Sequence, residues 1–559
     1  MTHVITRACC NDAACVPVCP VNCIHPTPDE PDYGTAEMLY IDPQGCIDCG
    51  ACVEACPVSA ITADYDLAPE YARYEEINAR YFASEERQDY EQVQNTRTSR
   101  SWADAPEGTL KVAIVGSGPA ACYAAEELLT QRGLPAEVDM FEKLPTPWGL
   151  VRFGVAPDHQ DTKSASDSFA RTMKRKGFRL FLNAEVGVDI TLAELKERYH
   201  AVIYAVGAMG DRALGVPGET LPGSHSATEF VAWYNGHPDF AARTFDLAHE
   251  RAVIVGNGNV ALDVARILVS DPEALAKTDI ADHALAQLRS SKVREVVVLG
   301  RRGPLEAAFT TKELIGLSQT PGADLLVRPD ELSVNRLSRD QAGDPDSSVA
   351  LYKLSLLEEF GTKPPVQDRR ITLRFLASPL EIVGDGWVEG MRVRRNQLVE
   401  EDGRLVARPT DDTEDLACGL VFRSVGYHGL PVADLPFDRE RGVIPNDAGR
   451  VLDPESREPL GGIYAAGWIK RGPSGVIGTN KKCARETVAQ LFDDYLAGDL
   501  GEPSLAIEEL EQELPEHVDM HGWRRIDQYE KKAGKEQKRP RVKLVDVDEM
   551  LDVARGGPA

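Results

Sequence analysis

Lys111-Val-Ala-Ile-Val-Gly116-Ser-Gly118-Pro-Ala-Ala121 decides the fold of most of this chain. A short, mostly apolar strand runs into a turn with two glycines, and an Ala/Glu/Leu helix follows. Gly116 and Gly118 permit a tight turn and the close approach of a pyrophosphate to the helix N-terminus, where unpaired N–H groups favour an anion. Ala121 replaces a third glycine whose role is close packing. One such turn is weak evidence. Here the next strand, Val138-Asp-Met-Phe141, ends in Glu142 at the spacing of an acid that binds a ribose.

A second copy lies downstream. Arg251-Ala-Val-Ile-Val255 leads into Gly256-Asn257-Gly258-Asn259-Val260-Ala261 and a helix from Leu262 to Leu268. Its following strand, Glu295–Leu299, ends in Gly300-Arg301-Arg302-Gly303 instead of an acid. Two guanidiniums at this place suit the extra phosphate of NADP, because planar forks bind phosphate oxygens bidentately.

Upstream, residues 62–108 have no glycine before Gly108 and are rich in Glu, Ala, Tyr and Arg, so Leu67 to about Gln94 is predicted as one or two helices of a connector. Ahead of it, nine of the twelve cysteines fall within the first 56 residues. They form two runs, Cys15-x3-Cys19-Pro20 and Cys46-x2-Cys49-x2-Cys52-x3-Cys56-Pro57. Thiolates at this spacing hold iron–sulfur clusters, the cysteine before proline reaching across to the other cluster. Zinc would need only four of them, and the second run is not a zinc-ribbon pattern. Cys46, Cys49, Cys52 and Cys19 form one complete set. Cys15, Cys56 and either Cys9 or Cys10 form the other. Three ligands favour a [3Fe-4S] centre there; a fourth from the remaining thiol of the pair would give a second [4Fe-4S]. Cys122, Cys418 and Cys483 stand apart and are expected to be core or surface residues, and no CxxC accompanies either nucleotide turn.

At 559 residues several domains are expected. A net charge of −27 excludes a nucleic-acid partner. No apolar run approaches the length of roughly 18 residues that spans a bilayer, so no membrane insertion is expected. Met1–Arg7 lacks an apolar secretory core, which predicts a cytoplasmic protein with free thiols and not a disulfide framework. In the first 61 residues eight carboxylates face Arg7 alone, an acidic head suited to a basic partner face or simply to solubility.

Four stretches make the body resemble adrenodoxin reductase and related bacterial ferredoxin–NADP reductases: Pro145–His159, the turn ending in Asp263, Gly300–Pro304 with Ala308–Glu313, and Ala466–Ile477. The likeness runs from about residue 110 to the C-terminus and includes Trp523 and Arg539–Lys543. The cysteine-rich head resembles seven-iron bacterial ferredoxins, in which Cys23 would be the spare cysteine, and the whole resembles actinobacterial fusions of the two. The resemblance implies FAD in the first nucleotide fold, contacted by Ala121, Glu142, Leu150 and Val186, with Trp468 and Gly475-Val476-Ile477 closing on the flavin. It implies NADPH in the second, contacted by Arg212, Asn257–Val260, Arg301, Arg302, Glu313 and Gly475. His159 and Asp263 match residues near the nicotinamide and flavin, implying a polar pair that orients the nicotinamide and assists proton movement; the bland alternative is a buried His–Asp hydrogen bond. Relatives often carry a second glutamate three residues after Glu313, where this chain has Gly316.

The expected fold is thus an α+β ferredoxin-like head followed by an α/β flavoprotein of two Rossmann-type domains. Its parts are residues 1–62 (ferredoxin), 63–108 (helical linker), 109–214 and 421–490 (FAD domain), 215–420 (inserted NADP domain) and 491–559 (C-terminal extension). The expected function is NADPH–ferredoxin oxidoreductase: hydride from NADPH to FAD, then single electrons through the clusters to an external acceptor such as a ferredoxin or cytochrome P450. Two alternatives are an electron-input subunit like the small subunit of glutamate synthase, and a head that serves as a docking or redox-sensing module.

Overall fold

The computed structural model describes residues 1–83, 100–103, 105–343 and 348–557. The apolar strand Leu110–Val115 sits at the centre of a seven-stranded sheet, flanked in parallel by Ala136–Glu142 and Ala201–Tyr204. Phe178–Leu182 closes one edge. Beyond Ala201–Tyr204 the order continues with Pro459–Ala465, Arg450–Leu452 and Asn446–Asp447, strands from far along the chain. The central strands are buried on both faces and read as continuous apolar runs, as a sheet covered by helices requires.

Between the two parts of that sheet the chain builds a second, six-stranded parallel sheet, ordered Ser224–Ser226, Leu420–Arg423, Arg251–Val255, Glu295–Leu299, Arg369–Arg374, Ala323–Val327. An antiparallel three-stranded ribbon, Ala377–Val383, Gly390–Glu401 and Arg404–Ala417, extends from it. Where the chain crosses between sheets, Gly210–Asp211 pairs with Tyr427–His428.

The head joins His3–Ile5 to Ile61–Ala63 and Ile24–His25 to Tyr40–Ile41, both antiparallel. Contacts with the head continue beyond the boundary expected at residue 62. The helix Arg73–Tyr81 is part of the head: Asn78 Oδ1 accepts from the Ile5 and Ile41 N–H groups, at 3.2 and 2.9 Å, and Tyr81 stacks on Tyr40. Its apolar side faces the head's strands, which explains why a glycine-free run helical by composition does not act as a spacer. The rest of the expected linker helix, residues 84–94, lies outside the described residues. Among the described residues no helix is long and apolar enough to cross a membrane.

The C-terminal segment locks the two sheets' domains together. Arg152 and Glu530 form a bidentate pair with side chains only 2% and 0% exposed, and Arg541 and the Leu544 N–H also donate to Glu530. Trp523 packs edge-on against Trp148 at 5.0 Å between centroids. Lys543 is buried on the Arg152 and Asn235 carbonyls and Asp279.

Candidate functional site

Gly118 and Gly258 are the N-caps of the Pro119–Leu129 and Asn259–Val269 helices, and neither end has a side-chain cap. A Cβ at either glycine would meet nothing within 4 Å, so both turns present bare N–H groups to open space, which fits a pyrophosphate. Gly116 and Gly256 have φ of 99° and 110°, and a Cβ there would strike the carbonyl oxygens of Ala205 and Ser424 at 2.6 and 2.1 Å. Ala121 is fully buried in the first helix. Glu142 Oε2 accepts from the Ser117 N–H and hydroxyl at 3.2 and 2.7 Å, so the expected ribose acid also ties its strand to the turn.

Leu150 opens the short helix Leu150–Phe153, just past Gly149, whose Cβ would lie 3.2 Å from Gly118 Cα. Val186 is bridged to Ile190 after the edge strand. Trp468 donates its indole N–H to the Ser474 carbonyl at 3.0 Å. Gly475 has φ of 78°, and Thr479 donates to the Val476 carbonyl at 2.7 Å, folding the 475–478 loop back.

On the NADP side Arg301 and Arg302 are exposed and line an open cleft of about 490 Å³ with Ser378, Arg394 and Asn396 of the ribbon. Arg394 was not foreseen, since nothing in its local sequence marks it. Its Nε is buried without a partner among the described residues, a donor suited to a phosphate oxygen. Asn396 fixes the turn by donating to the Arg301 carbonyl at 2.8 Å. Asn259 accepts from the Thr310 N–H at 2.9 Å, and the Asn257 amide lies beneath Gly300, where a Cβ would approach it to 2.4 Å. Val260 follows in the same helix. Arg212 lies at the crossover, its N–H on the Gly426 carbonyl at 3.3 Å.

His159, Asp263 and Glu313 converge, but His159 and Asp263 are not directly bonded: Nε2 lies 4.0 Å from Asp263 Oδ1. Arg266 stands between them. Its Nη2 is 3.0 Å from His159 Nε2 and 2.7 Å from Asp263 Oδ1, and a fork on Asp158 at 2.6 and 2.9 Å holds it in place. A second guanidinium, Arg7 from the head, reaches His159 Nε2 and Glu313 Oε2, both at 2.7 Å. Guanidiniums only donate, so Nε2 is an acceptor and the ring's proton is on Nδ1. The two residues expected as a polar pair thus meet through arginine bridges and not through a direct His–Asp hydrogen bond.

Burial, then Arg266 and Arg7, push the His159 pKa down to about 3. Asp263 is pushed up to about 6 by burial against the pull of Arg266, and Glu313 is brought down to about 2, its burial outweighed by Arg7, His159, Lys312 and Arg266 together. The unfolded chain therefore protonates His159 near pH 6.5 while the folded chain does not, so its contribution to stability is intact above that pH and is lost as pH falls toward 3. The expected observation is a His159 imidazole NMR resonance that does not titrate between about pH 5 and 8. A midpoint near 6.5 would refute the neutral-acceptor assignment.

All twelve cysteines are free thiols. Cys19, Cys46, Cys49 and Cys52 line one pocket together with Cys23, Ile24, Ile41 and Ile47, a donor set of soft thiols that suits an iron–sulfur cluster. Cys49 is exposed, whereas Cys9, Cys10 and Cys15 are buried. Cys9 lies close enough to Cys10, Cys15 and Cys56 to raise the pKa of each, adding to the effect of burial. The four thus share a second neighbourhood. Lys312 donates to the Cys9 carbonyl at 2.7 Å, and the Gly478 N–H donates to the Cys10 carbonyl at 2.7 Å. Cys122, Cys418 and Cys483 are buried in the reductase.

Two nucleotide cradles on adjacent sheets, with a thiol-lined domain seated over their junction, define an iron–sulfur flavoprotein oxidoreductase. Residues 110–306 match the pyridine nucleotide-disulphide oxidoreductase family and residues 39–62 the 4Fe-4S binding domain. The chain is 49% identical over 573 residues to a probable ferredoxin/ferredoxin–NADP reductase of Mycobacterium tuberculosis, covering 100% of this chain and 96% of that protein. It is 47% identical over 464 residues to NADPH-ferredoxin reductase FprA of the same organism, covering 80% of this chain and 99% of FprA. The structure of FprA in complex with NADPH superposes with a TM-score of 0.75 at 46% identity, covering 80% of this chain and all of FprA. This chain belongs to the ferredoxin/ferredoxin–NADP reductase family.

Proposed function

We propose that this chain is an NADPH–ferredoxin oxidoreductase carrying its first electron acceptor in its own ferredoxin-like head. The observation that carries the reading is the seat of the head. The 475–478 loop assigned to the flavin ends in Gly478, which donates to the Cys10 carbonyl at 2.7 Å, so the buried cysteine set adjoins the flavin side of the reductase. Asp12 and Asn11 lie against Gly478 closely enough that a Cβ there would fall 2.1 Å from the Asp12 nitrogen. When bound, FAD accepts electron pairs from NADPH and the clusters accept them singly, which is the chemistry a pair-to-single converter needs.

The chain's own residues divide the rest of the work. Gly118 and Gly258 offer the pyrophosphate cradles, Arg301, Arg302 and Arg394 the 2′-phosphate site, and Arg266, His159 and Glu313 a rigid polar wall at the nicotinamide. Cys9 or Cys10, Cys15 and Cys56 would hold the inner cluster, read as [3Fe-4S]. Cys19, Cys46, Cys49 and Cys52 would hold the outer [4Fe-4S], beside exposed Cys49 and Ile47. That face, on a head rich in carboxylates, is the proposed exit toward an external acceptor such as a ferredoxin or cytochrome P450.

Low-temperature EPR of the anaerobic protein before and after NADPH tests this. The expected result is a three-iron signal as isolated that disappears on NADPH addition. A bleached flavin with an unchanged cluster signal would refute internal relay. Neutralising Arg301 and Arg302 together is expected to cut the preference for NADPH over NADH by about 100-fold or more, since charged hydrogen bonds are worth roughly 1.5–3 kcal/mol each. Arg394→Ala alone is expected to cost about tenfold by the same reasoning. Competing steady-state assays with the two nucleotides read both effects.

A further inference from the structure

Arg7 is the single lysine or arginine among the first 61 residues, and it does not serve the acidic surface around it. Its side chain leaves the head and enters the junction of the two nucleotide domains, where Nη2 donates to Glu313 Oε2 and His159 Nε2, each at 2.7 Å. Glu313 lies in the first turn of the helix Thr311–Ser318, and three residues on is Gly316, in the helix interior. Glycine there costs about 1 kcal/mol relative to alanine. Its backbone is helical, so conformational freedom does not account for it.

Space does. A Cβ at Gly316 would lie 2.1 Å from Arg7 Cζ, 2.2 Å from Nη1 and 2.5 Å from Nε. The guanidinium thus rests on bare helix backbone. It could swing aside for a methyl group only by leaving both Glu313 and His159. Other head contacts grip the same helix. Lys312 donates to the Cys9 carbonyl, and the Thr311 N–H donates to Glu37 Oε2 at 2.6 Å. The head is therefore keyed to the helix that carries the nicotinamide-side acid.

We propose that Arg7 is a positioning residue for the hydride-transfer site, supplied by the iron–sulfur head, and that Gly316 is the notch that admits it, so that Glu313 and His159 are in place only while the head is seated. This rests on the reading of the site as the NADPH-to-FAD site. It makes the head more than an acceptor: its docking prepares the step that loads it. Arg266 meets His159 from the other side, its Nε and Nη2 already on Asp158, Asp263 and His159, and it makes no hydrogen bond to Glu313.

The test uses the full-length holoprotein and compares wild type, Arg7→Gln, Arg7→Lys, Gly316→Ala and the double variant Arg7→Gln/Gly316→Ala. Stopped-flow flavin bleaching at saturating NADPH gives the rate constant, and its NADPH dependence gives the dissociation constant. Iron content and hydrogen exchange of Thr311–Ser318 are measured in parallel. Arg7→Gln and Gly316→Ala are each expected to slow bleaching tenfold or more, the loss of one charge-assisted hydrogen bond. The NADPH dissociation constant and iron content are expected to stay within about twofold, because the phosphate arginines and the cysteines are untouched. The double variant is expected to be no slower than Arg7→Gln, since the three atoms nearest the added methyl all belong to the Arg7 guanidinium. Arg7→Lys is expected to recover part of the rate, and exchange in Thr311–Ser318 to rise in Arg7→Gln.

If Gly316 were incidental, Gly316→Ala would only strengthen its helix and leave the rate unchanged. That result, or additive effects in the double variant, overturns the proposal. Gly316 is remote in sequence from every cysteine, so the test holds even if Arg7→Gln loses iron. A wild-type flavin that NADPH does not bleach would instead defeat the functional reading beneath it.

Discussion

Gly478→Ala is expected to uncouple the iron–sulfur head from the flavin side of the reductase and so to slow NADPH-driven reduction of the clusters. The added methyl would lie 2.1–2.3 Å from the Asp12 nitrogen and the Asn11 carbonyl group. These are backbone atoms, which no rotamer change can move. The head must therefore shift, at a cost of about 1–3 kcal/mol, the usual range for overpacking a close contact. That lowers the equilibrium constant for seating the head by about 5- to 150-fold. The bond from the Gly478 N–H to the Cys10 carbonyl is lost with it. NADPH-driven cluster reduction, followed by EPR after rapid freezing, is expected to slow by about tenfold. Dithionite should still reduce the clusters fully. Equal rates of cluster reduction in variant and wild type would show that electrons leave the flavin by another route.

Glu530→Ala is expected to have the largest effect on stability. The carboxylate is wholly buried and receives Arg152, Arg541 and the Leu544 N–H. Removing it strands the Arg152 guanidinium in the interior, and breaking a buried pair from one side costs about 3–5 kcal/mol. The damage reaches function through position, because Arg152 lies in the Leu150–Phe153 helix behind the flavin-side turn and its carbonyl anchors Lys543. Burial alone would raise the Glu530 pKa, but Arg152 and Arg541 hold it below the usual carboxylate value. A depressed carboxylate pKa gives stability that is present above the unfolded value and lost as pH falls through the folded one. Thermal denaturation is therefore expected to show wild type losing its advantage over Glu530→Ala as the pH drops below about 4. An unchanged melting temperature at neutral pH would refute the assignment.

Much of this molecule is legible in its residues. The two glycine turns lie where their strands and helices predict, because a pyrophosphate cradle is a local device of some thirty consecutive residues. The cysteines that the spacing groups also lie near one another, Cys19, Cys46, Cys49 and Cys52 around one pocket and Cys9, Cys10, Cys15 and Cys56 in a second neighbourhood. Other features are not local. Residues 73–82 have a composition that reads as a linker helix, yet Asn78 bonds Ile5 and Ile41, partners far away in sequence. Asp158 and Arg266 stand beside two residues that resemblance picked out, but their bridge forms only when two domains meet.

The sequence by itself determined the class of chemistry: two nucleotide sites and thiolate sites for iron. Each follows from residue types at short fixed spacings, which the backbone brings together whatever the rest of the chain does. Tertiary structure alone decided how these parts are joined. Arg7 and Gly316 are some three hundred positions apart and carry no motif; a lone arginine in an acidic head and a glycine inside a helix each read as incidental. Only packing the head against the Thr311–Ser318 helix makes one the occupant of the other's missing side chain, and it brings a residue of the electron acceptor to the site assigned to the nicotinamide.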